Sequence, residues 1–353
     1  MKLPGLIDVH VHLREPGAVY KEDIESGTKD DLAGGITTVL AMPNTQPPVV
    51  DGQVLSHVES AARSACCDVG FYMGGSIDNA KRIADVAERS VGLKLYLDAT
   101  YGPLRLGGMS TWAAHLKHWP RTRPIAAHAE GKTLAALLYL SHIHDRHVHI
   151  CHVATREEIT LIKWAKESGM RVTCEVAPHH LFLSTEDISH LGPGKSEVRP
   201  RLATPDDRQA LWDNLEVIDC FATDHAPHTL EEKEGDDPPP GFPGLETALP
   251  LFLNAVHEGR LTMEDVVARM YTRPREIFGI PEQKETWITI DPGRPYEIKA
   301  SDHASKCGWT PFEGWTGKGC VTQVVLRGNQ VYGEGEWSTT PGTGVNVADL
   351  MEV

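Results

Sequence analysis

Eight short runs of β-branched and apolar residues, spread through the first 223 positions and separated by amphipathic stretches, constrain the fold more than any other feature of this sequence. They are Leu6–His10, Thr37–Met42, Val69–Met73, Gly92–Leu97, Ile125–His128, Val148–His152, Arg171–Glu175 and Ile218–Thr223. Between them, apolar residues fall at helical spacing over Asp51–Ala65, Asn79–Arg89, Gly131–Ile143, Arg156–Ser168 and Asp206–Leu215. Such alternation predicts βαβ units around a parallel sheet. Repeated eight times, it predicts a closed α/β architecture, the (β/α)8 TIM barrel; an open doubly wound sheet is the competing reading.

Past the eighth run, Leu245–Glu258, Thr262–Met270 and Arg273–Phe278 have helical spacing, with Pro274 suited to a first turn. From Trp287 the texture changes to short alternating segments punctuated by Gly and Pro, among them Val321–Leu326, a Gly328-Asn329 turn and Gln330–Tyr332. The reading is a barrel domain over 1–285 and a small β-rich appendage with a tail over 286–353. The stretch Glu231–Gly244, which contains Pro238, Pro239 and Pro240, is expected to be a long irregular loop, a kind of segment that is often functional.

Charge narrows the choice of partners. The chain carries a formal charge of −15 and no long block of Lys or Arg, so neither a nucleic-acid nor a membrane surface is expected. An anionic substrate would have to be held by a few placed cations. No apolar run approaches the ~20 residues that span a bilayer, and the N-terminus lacks the layout of a secretory signal. Seven cysteines, an odd number, fit reduced thiols in a cytoplasmic protein better than a disulfide framework. The first strand begins almost at Met1, which suggests a short lead-in or a domain cut from something longer.

Metal-ligand residue types cluster at the ends of the runs: His10 and His12, His128, His152 and Asp224. In a barrel those ends meet on one face, where active sites of this fold lie. His10 and His12 are two apart on a strand and point to the same side, so both imidazoles can reach one ion. Lys94, inside Gly92–Leu97, is costly to bury as an ammonium, which favours a neutral amine able to take up carbon dioxide. The product is a carbamate with two anionic oxygens, suited to bridging two divalent cations; the alternative is a lysine paired to a carboxylate. Zinc suits imidazole and carboxylate donors at an open site, and manganese or cobalt could substitute.

At these residues the chain resembles a known family. His10-Val11-His12-Leu13-Arg14-Glu15-Pro16-Gly17, Met42-Pro43-Asn44-Thr45, Gly92-Leu93-Lys94, His128-Ala129-Glu130 and Asp224-His225-Ala226-Pro227-His228 look like the signature blocks of dihydroorotases in the amidohydrolase superfamily. The likeness is greatest to the dihydroorotase domain of the animal multifunctional pyrimidine-synthesis proteins of the CAD type. Cys151-His152-Val153, Cys174–Phe182, Gly241–Thr247 and Trp309–Gly314 extend it across nearly the whole chain.

The resemblance implies a zinc-dependent cyclic amide hydrolase that interconverts N-carbamoyl-L-aspartate and L-dihydroorotate. It implies one zinc on His10, His12, carboxylated Lys94 and Asp224, and a second on Lys94, His128 and His152, with a hydroxide bridging the two. It also implies a third zinc near His152, with Cys151 and Glu175 as ligands. Neighbours on a strand face opposite sides, so Cys151 would need an irregular strand end to join His152, and a plain buried thiol is the alternative.

The family pattern assigns Arg14 and Asn44 to the substrate carboxylate, helped by Arg199 and His228; a guanidinium can grip a carboxylate with two hydrogen bonds. Asp224 is the expected proton carrier. Asp98–Pro103 is placed to be a lid, in which Thr100 matches the family pattern and Tyr101 stands where the animal domain has Phe. Pro240 of the long loop joins Thr100 and Tyr101 as a candidate substrate contact. The family likeness further suggests a homodimer and a longer chain with carbamoyl-phosphate synthetase and aspartate transcarbamoylase activities.

Overall fold

The computed structural model describes residues 1–351. A short strand, β1 (Lys2–Pro4), precedes eight barrel strands: β2 (Leu6–Val11), β3 (Ile36–Ala41), β4 (Asp68–Gly74), β5 (Gly92–Tyr96), β6 (Ile125–His128), β7 (Val148–Ile150), β8 (Val172–Val176) and β9 (Cys220–Phe221). They pair in parallel and in strict chain order. A doubly wound sheet would reverse its order partway, so the competing reading is excluded.

The barrel closes at its last seam through side chains as much as through backbone. His12 N donates to His225 O at 2.8 Å, beside a parallel bridge between Val11 and His225. Four residues before His12 on the same face, buried Asp8 accepts from Thr223 N at 3.1 Å and from His10 N at 3.0 Å. Burial pushes the Asp8 carboxyl up to about 7, against these hydrogen bonds.

Two runs end two residues short of their predicted ends. The sixth ends at Ile150 rather than His152, and the eighth is only Cys220–Phe221. Beyond each, a ligand-type residue sits in the left-handed region, His152 at φ 35° and Asp224 at φ 48°. The backbone turns there instead of continuing the pleat, a strained geometry that tends to gather at functional sites.

Most helices match expectation, including Gly131–Ile143 and Arg273–Phe278, the latter with Pro274 in its first turn. Two segments differ. Asn79–Arg89 forms only a 3-10 helix over Ile83–Arg89, because the Asn79 side chain donates to Val50 O and Gly74 O and accepts from Ser76 N, tethering its start to the barrel. Thr262–Met270 splits into a helix Met263–Val267 and a wider π turn Ala268–Thr272, which accommodates the N–H that Pro274 lacks. The Glu231–Gly244 loop opens with a helical turn, Leu230–Lys233, capped by Thr229, and is irregular afterwards.

The appendage is an antiparallel sheet in the order β1, β10 (Trp287–Glu297), β11 (Thr316–Leu326), β12 (Asn329–Gly333) and β13 (Glu336–Trp337), so it draws on both ends of the described chain. Asp68, buried at the start of β4, ties it to the barrel. Its carboxylate accepts from Arg327 Nη1 at 2.8 Å, Gln283 Nε2 at 2.6 Å and Val345 N at 3.0 Å. No helix among the described residues is long and apolar enough to cross a membrane.

Candidate metal centre and substrate pocket

Pleat alternation places Asp8, His10 and His12 on the inner side of β2. At its mouth, Asp224 Oδ1 lies 3.1 Å from His10 Nε2 and 3.3 Å from His12 Nε2. His10, His12 and Asp224 thus present three donor atoms within 4.8 Å of one another. His10 also belongs to a second such group with Cys151 and Glu175, its Nδ1 in short contact with Glu175 Oε1. Lys94 Nζ is fully buried between the groups, 2.8 Å from Cys151 Sγ and 3.5 Å from His10 Nε2. The His152 ring packs 4.6 Å from that of His128 and 5.2 Å from that of His10.

The irregular strand end that Cys151 requires is present. Because the chain turns at His152, the thiol points to Lys94 while His152 N remains 3.3 Å from Glu175 Oε1. The third donor grouped with Cys151 and Glu175 is His10, which the sequence reading had placed only with the first zinc.

These side chains suit divalent cations. Burial drives the His10, His12 and His152 imidazoles below their usual range; Lys94 adds to this at His10, Arg14 and Lys94 at His12, and His128 and His10 at His152. A neutral imidazole offers the lone pair that zinc needs. His152 Nδ1 is buried without any hydrogen-bond partner, an uncompensated polar atom that a ligand would satisfy. Burial would raise Glu175, but its contacts with His10 and His149 outweigh it and hold the carboxylate ionised. Burial, helped by the charge of Glu175, pushes the Cys151 thiol well up against the pull of Lys94.

A narrow cavity above the donors is lined by His10, His12, His128, His152 and Asp224 on one side, and by Arg14, Asn44, Thr100, Tyr101, Arg199 and Pro240 on the other. Lys94, Cys151, Glu175 and His228 are not part of its lining. Its free space is about 20 Å³, roughly a single water, too little to admit a ring in this conformation. Asn44 holds both sides, with Oδ1 2.6 Å from His12 Nδ1 and Nδ2 donating to Tyr101 O at 3.2 Å. Arg14 donates through Nε to Pro227 O at 3.0 Å, while Arg199 is drawn aside by Glu197, 2.7 Å from its Nη1.

His228 is neutral, driven down by burial and by the cations Arg14, Lys21 and Lys233. Lys21 Nζ donates to its Nδ1 at 2.9 Å, and its Nε2 lies 3.0 Å from Arg14 Nη2 and 3.1 Å from Pro240 O. Trp309 Nε1 donates to His228 O at 2.8 Å, so the appendage side of the chain buttresses the pocket.

Several participants were not anticipated. Asp8 had a signal, since it continues the two-residue spacing of His10 and His12. His149 did too, two residues before Cys151. Lys21 and Lys233 had none: each is a buried lysine in a polar stretch of sequence, and only tertiary contacts distinguish them. Lys233 Nζ donates to the carbonyls of Glu197, Pro239 and Gly241 at 2.8, 2.9 and 3.3 Å, which joins the Arg199 and Pro240 loops.

Comparisons agree with this geometry. The amidohydrolase family model matches residues 1–331. The chain is 51% identical over 348 residues to the multifunctional protein CAD of Squalus acanthias, a match that covers 98% of this chain and spans 16% of that protein's length. It is 37% identical over 357 residues to the dihydroorotase of Pyrococcus furiosus, covering 95% of this chain and 82% of that protein. Among solved structures, the L-hydantoinase (dihydropyrimidinase) of Arthrobacter aurescens superposes with a TM-score of 0.92 at 25% identity, covering 98% of this chain and 88% of that one. The inactive dihydroorotase-like domain of the Chaetomium thermophilum CAD-like multifunctional protein gives a TM-score of 0.85 at 29% identity, covering 98% of both chains. The chain belongs to the amidohydrolase family and, within it, to the dihydroorotases.

Proposed function

We propose that this chain catalyses the reversible cyclisation of N-carbamoyl-L-aspartate to L-dihydroorotate in de novo pyrimidine synthesis. The supporting observation is the single cavity in which Arg14 and Asn44 face the donors His10, His12 and Asp224, a carboxylate grip beside a cation site. His10, His12, Lys94 and Asp224 would hold one zinc and Lys94, His128 and His152 another, with Lys94 as the bridging carbamate. Cys151, Glu175 and His10 would hold a third. Bound zinc would supply Lewis-acid polarisation of the ring amide and water whose pKa is lowered to about 7.

The side chains divide the remaining work. Arg14 and Asn44 grip the substrate carboxylate, with Arg199 swinging from Glu197 to join them and His228 holding the Pro240 loop. Thr100 and Tyr101 close over the ring and exclude water. In the hydrolytic direction Asp224 takes the proton of the attacking water and delivers it to the departing ring nitrogen as the amide C–N bond breaks. The new carboxylic acid then ionises, so hydrolysis releases one proton and cyclisation consumes one. Low pH therefore favours dihydroorotate.

We further read the chain as cytoplasmic, homodimeric and part of a longer polypeptide with carbamoyl-phosphate synthetase and aspartate transcarbamoylase activities, a reading supported by its likeness to multifunctional relatives. Metal analysis joined to an equilibrium assay tests the function. The expected result is zinc in the purified protein, fewer ions in Cys151→Ser, and a dihydroorotate fraction that rises between pH 8 and pH 6. Unchanged turnover in metal-free protein, or an equilibrium indifferent to pH, would overturn the reading.

A further inference from the structure

At the barrel end opposite the donor cluster, the segments leading into β6, β7 and β8 bring four arginines around one cavity of about 80 Å³. Arg121 and Arg123 precede β6, Arg146 precedes β7 and Arg171 precedes β8. A single carboxylate, Asp145, lines the cavity with them, 2.8 Å from Arg121 Nη1 and 3.9 Å from Arg171 Nη1. Arg123 and Arg146 are only 8% and 6% exposed, yet neither has a carboxylate partner. Arg123 donates to Ser90 O at 3.1 Å and Glu88 O at 3.5 Å, and Arg146 to Pro120 O at 3.1 Å.

Four guanidinium groups against one carboxylate leave a strong positive excess in a chain whose formal charge is −15. Arg146 registers it: burial, then the charges of Arg121 and Arg171, bring its guanidinium down to about 10. His147, also in the lining, cannot relieve the excess because burial keeps it neutral. Buried cations without a counter-charge are costly, so this arrangement calls for an anion.

We propose that this cavity binds a tetrahedral oxyanion of the phosphate class, either free or as a terminal phosphoryl group. The guanidinium fork matches phosphate oxygens in pairs. The volume, that of several waters, admits such a group but not a peptide strand. Three of the four arginines stand immediately before barrel strands or within two residues of one, which fixes the cage to a rigid frame. Active sites of this fold lie at the C-terminal face, so this cavity, at the other end of the barrel, is separate from the substrate pocket.

Zinc-loaded protein titrated with inorganic phosphate and with glycerol 3-phosphate, against chloride at matched ionic strength, tests the assignment by thermal shift and 31P line broadening. Half-saturation is expected at about millimolar or below, weakened at least about tenfold in Arg146→Gln and in Arg171→Gln with turnover unchanged. Binding of both anions assigns a terminal phosphoryl group, and binding of phosphate alone assigns the free ion. Arg171 is half-exposed with no bond shorter than 3.9 Å, so its variant keeps the test open if Arg146→Gln fails to fold. Equal responses in wild type and variants would overturn the proposal, as would no response, or a response abolished instead by Arg14→Ala.

Discussion

His149 Nε2 stands 3.0 Å from Glu175 Oε2, while the other oxygen of the same carboxylate meets His10 Nδ1. Behind it the contacts continue, His149 Nδ1 to Thr173 Oγ1 at 2.9 Å and Thr173 Oγ1 to His147 Nε2 at 3.0 Å. A buried polar line thus runs from the closed end of the barrel to the donor that both metal groups share. Partners of this kind orient ligands and tune their basicity. His149→Leu is expected to weaken metal retention roughly 10- to 100-fold, read by chelator competition. Unaltered retention would show that Glu175 needs no second partner.

Under the proposed function, Arg14 is expected to discriminate between dihydroorotate and rings that lack its carboxylate. Arg14→Ala is expected to lower kcat/KM for dihydroorotate at least about 100-fold, about 3 kcal/mol, by removing a charged hydrogen-bond donor from a buried site. Turnover of dihydrouracil should change less than about tenfold. Equal losses on both substrates would favour a hydantoinase-like specificity.

The Tyr101 hydroxyl lies 3.3 Å from Lys21 Nζ, with its ring 5.0 Å from that of His228. Tyr101→Phe keeps the ring contact and removes a hydrogen bond of about 1 kcal/mol, so the lid is expected to open several-fold more often. The dependence of kcat on solvent viscosity should fall with it. An unchanged viscosity profile would separate lid opening from the hydroxyl.

Asp68 is the junction of barrel and appendage. Asp68→Ala leaves Arg327, Gln283 Nε2 and Val345 N without their common acceptor, and is expected to cost about 2–3 kcal/mol, discounted for the partial exposure of Arg327. Denaturant titration measures it. Chelator-resistant metal content should remain unchanged, since the donors lie elsewhere.

Acid should destabilise the fold partly through His147. Burial, then His149 and Arg171, bring this imidazole from 6.5 down to about 4. The unfolded chain therefore binds a proton between those values that the folded chain refuses, and stability is lost as pH falls from about 6.5 towards 4. Relative to its own value at pH 7, His147→Gln should lose about 1–2 kcal/mol less than wild type at pH 5 in denaturant titrations. Parallel losses would assign the acid sensitivity to other groups.

Much of the candidate site was legible because strand ends in a barrel must converge. Once eight alternations were counted, His10, His12, His128, His152 and Asp224 had to face one another whatever their separation in sequence. Lys94 was legible for a different reason, as a charged residue in an otherwise apolar strand. Lys21 and Lys233 were not, since nothing near them in sequence marks a lysine that will be buried against carbonyls and imidazole. The four arginines were equally hidden, each an ordinary surface residue until three neighbouring strands bring them together.

The residue pattern by itself determined the alternation of strand and helix, the side of each strand that faces inward and the chemical type of the donors, because periodicity and side-chain chemistry are local properties. The strand order that closes the barrel came from the tertiary structure. Tertiary structure alone decided that Cys151 shares His10 with Glu175, that the first strand joins the appendage and that His228 is neutral. Those outcomes depend on where the backbone leaves the pleat at His152 and Asp224, and on charges brought close from distant parts of the chain, neither of which local sequence encodes.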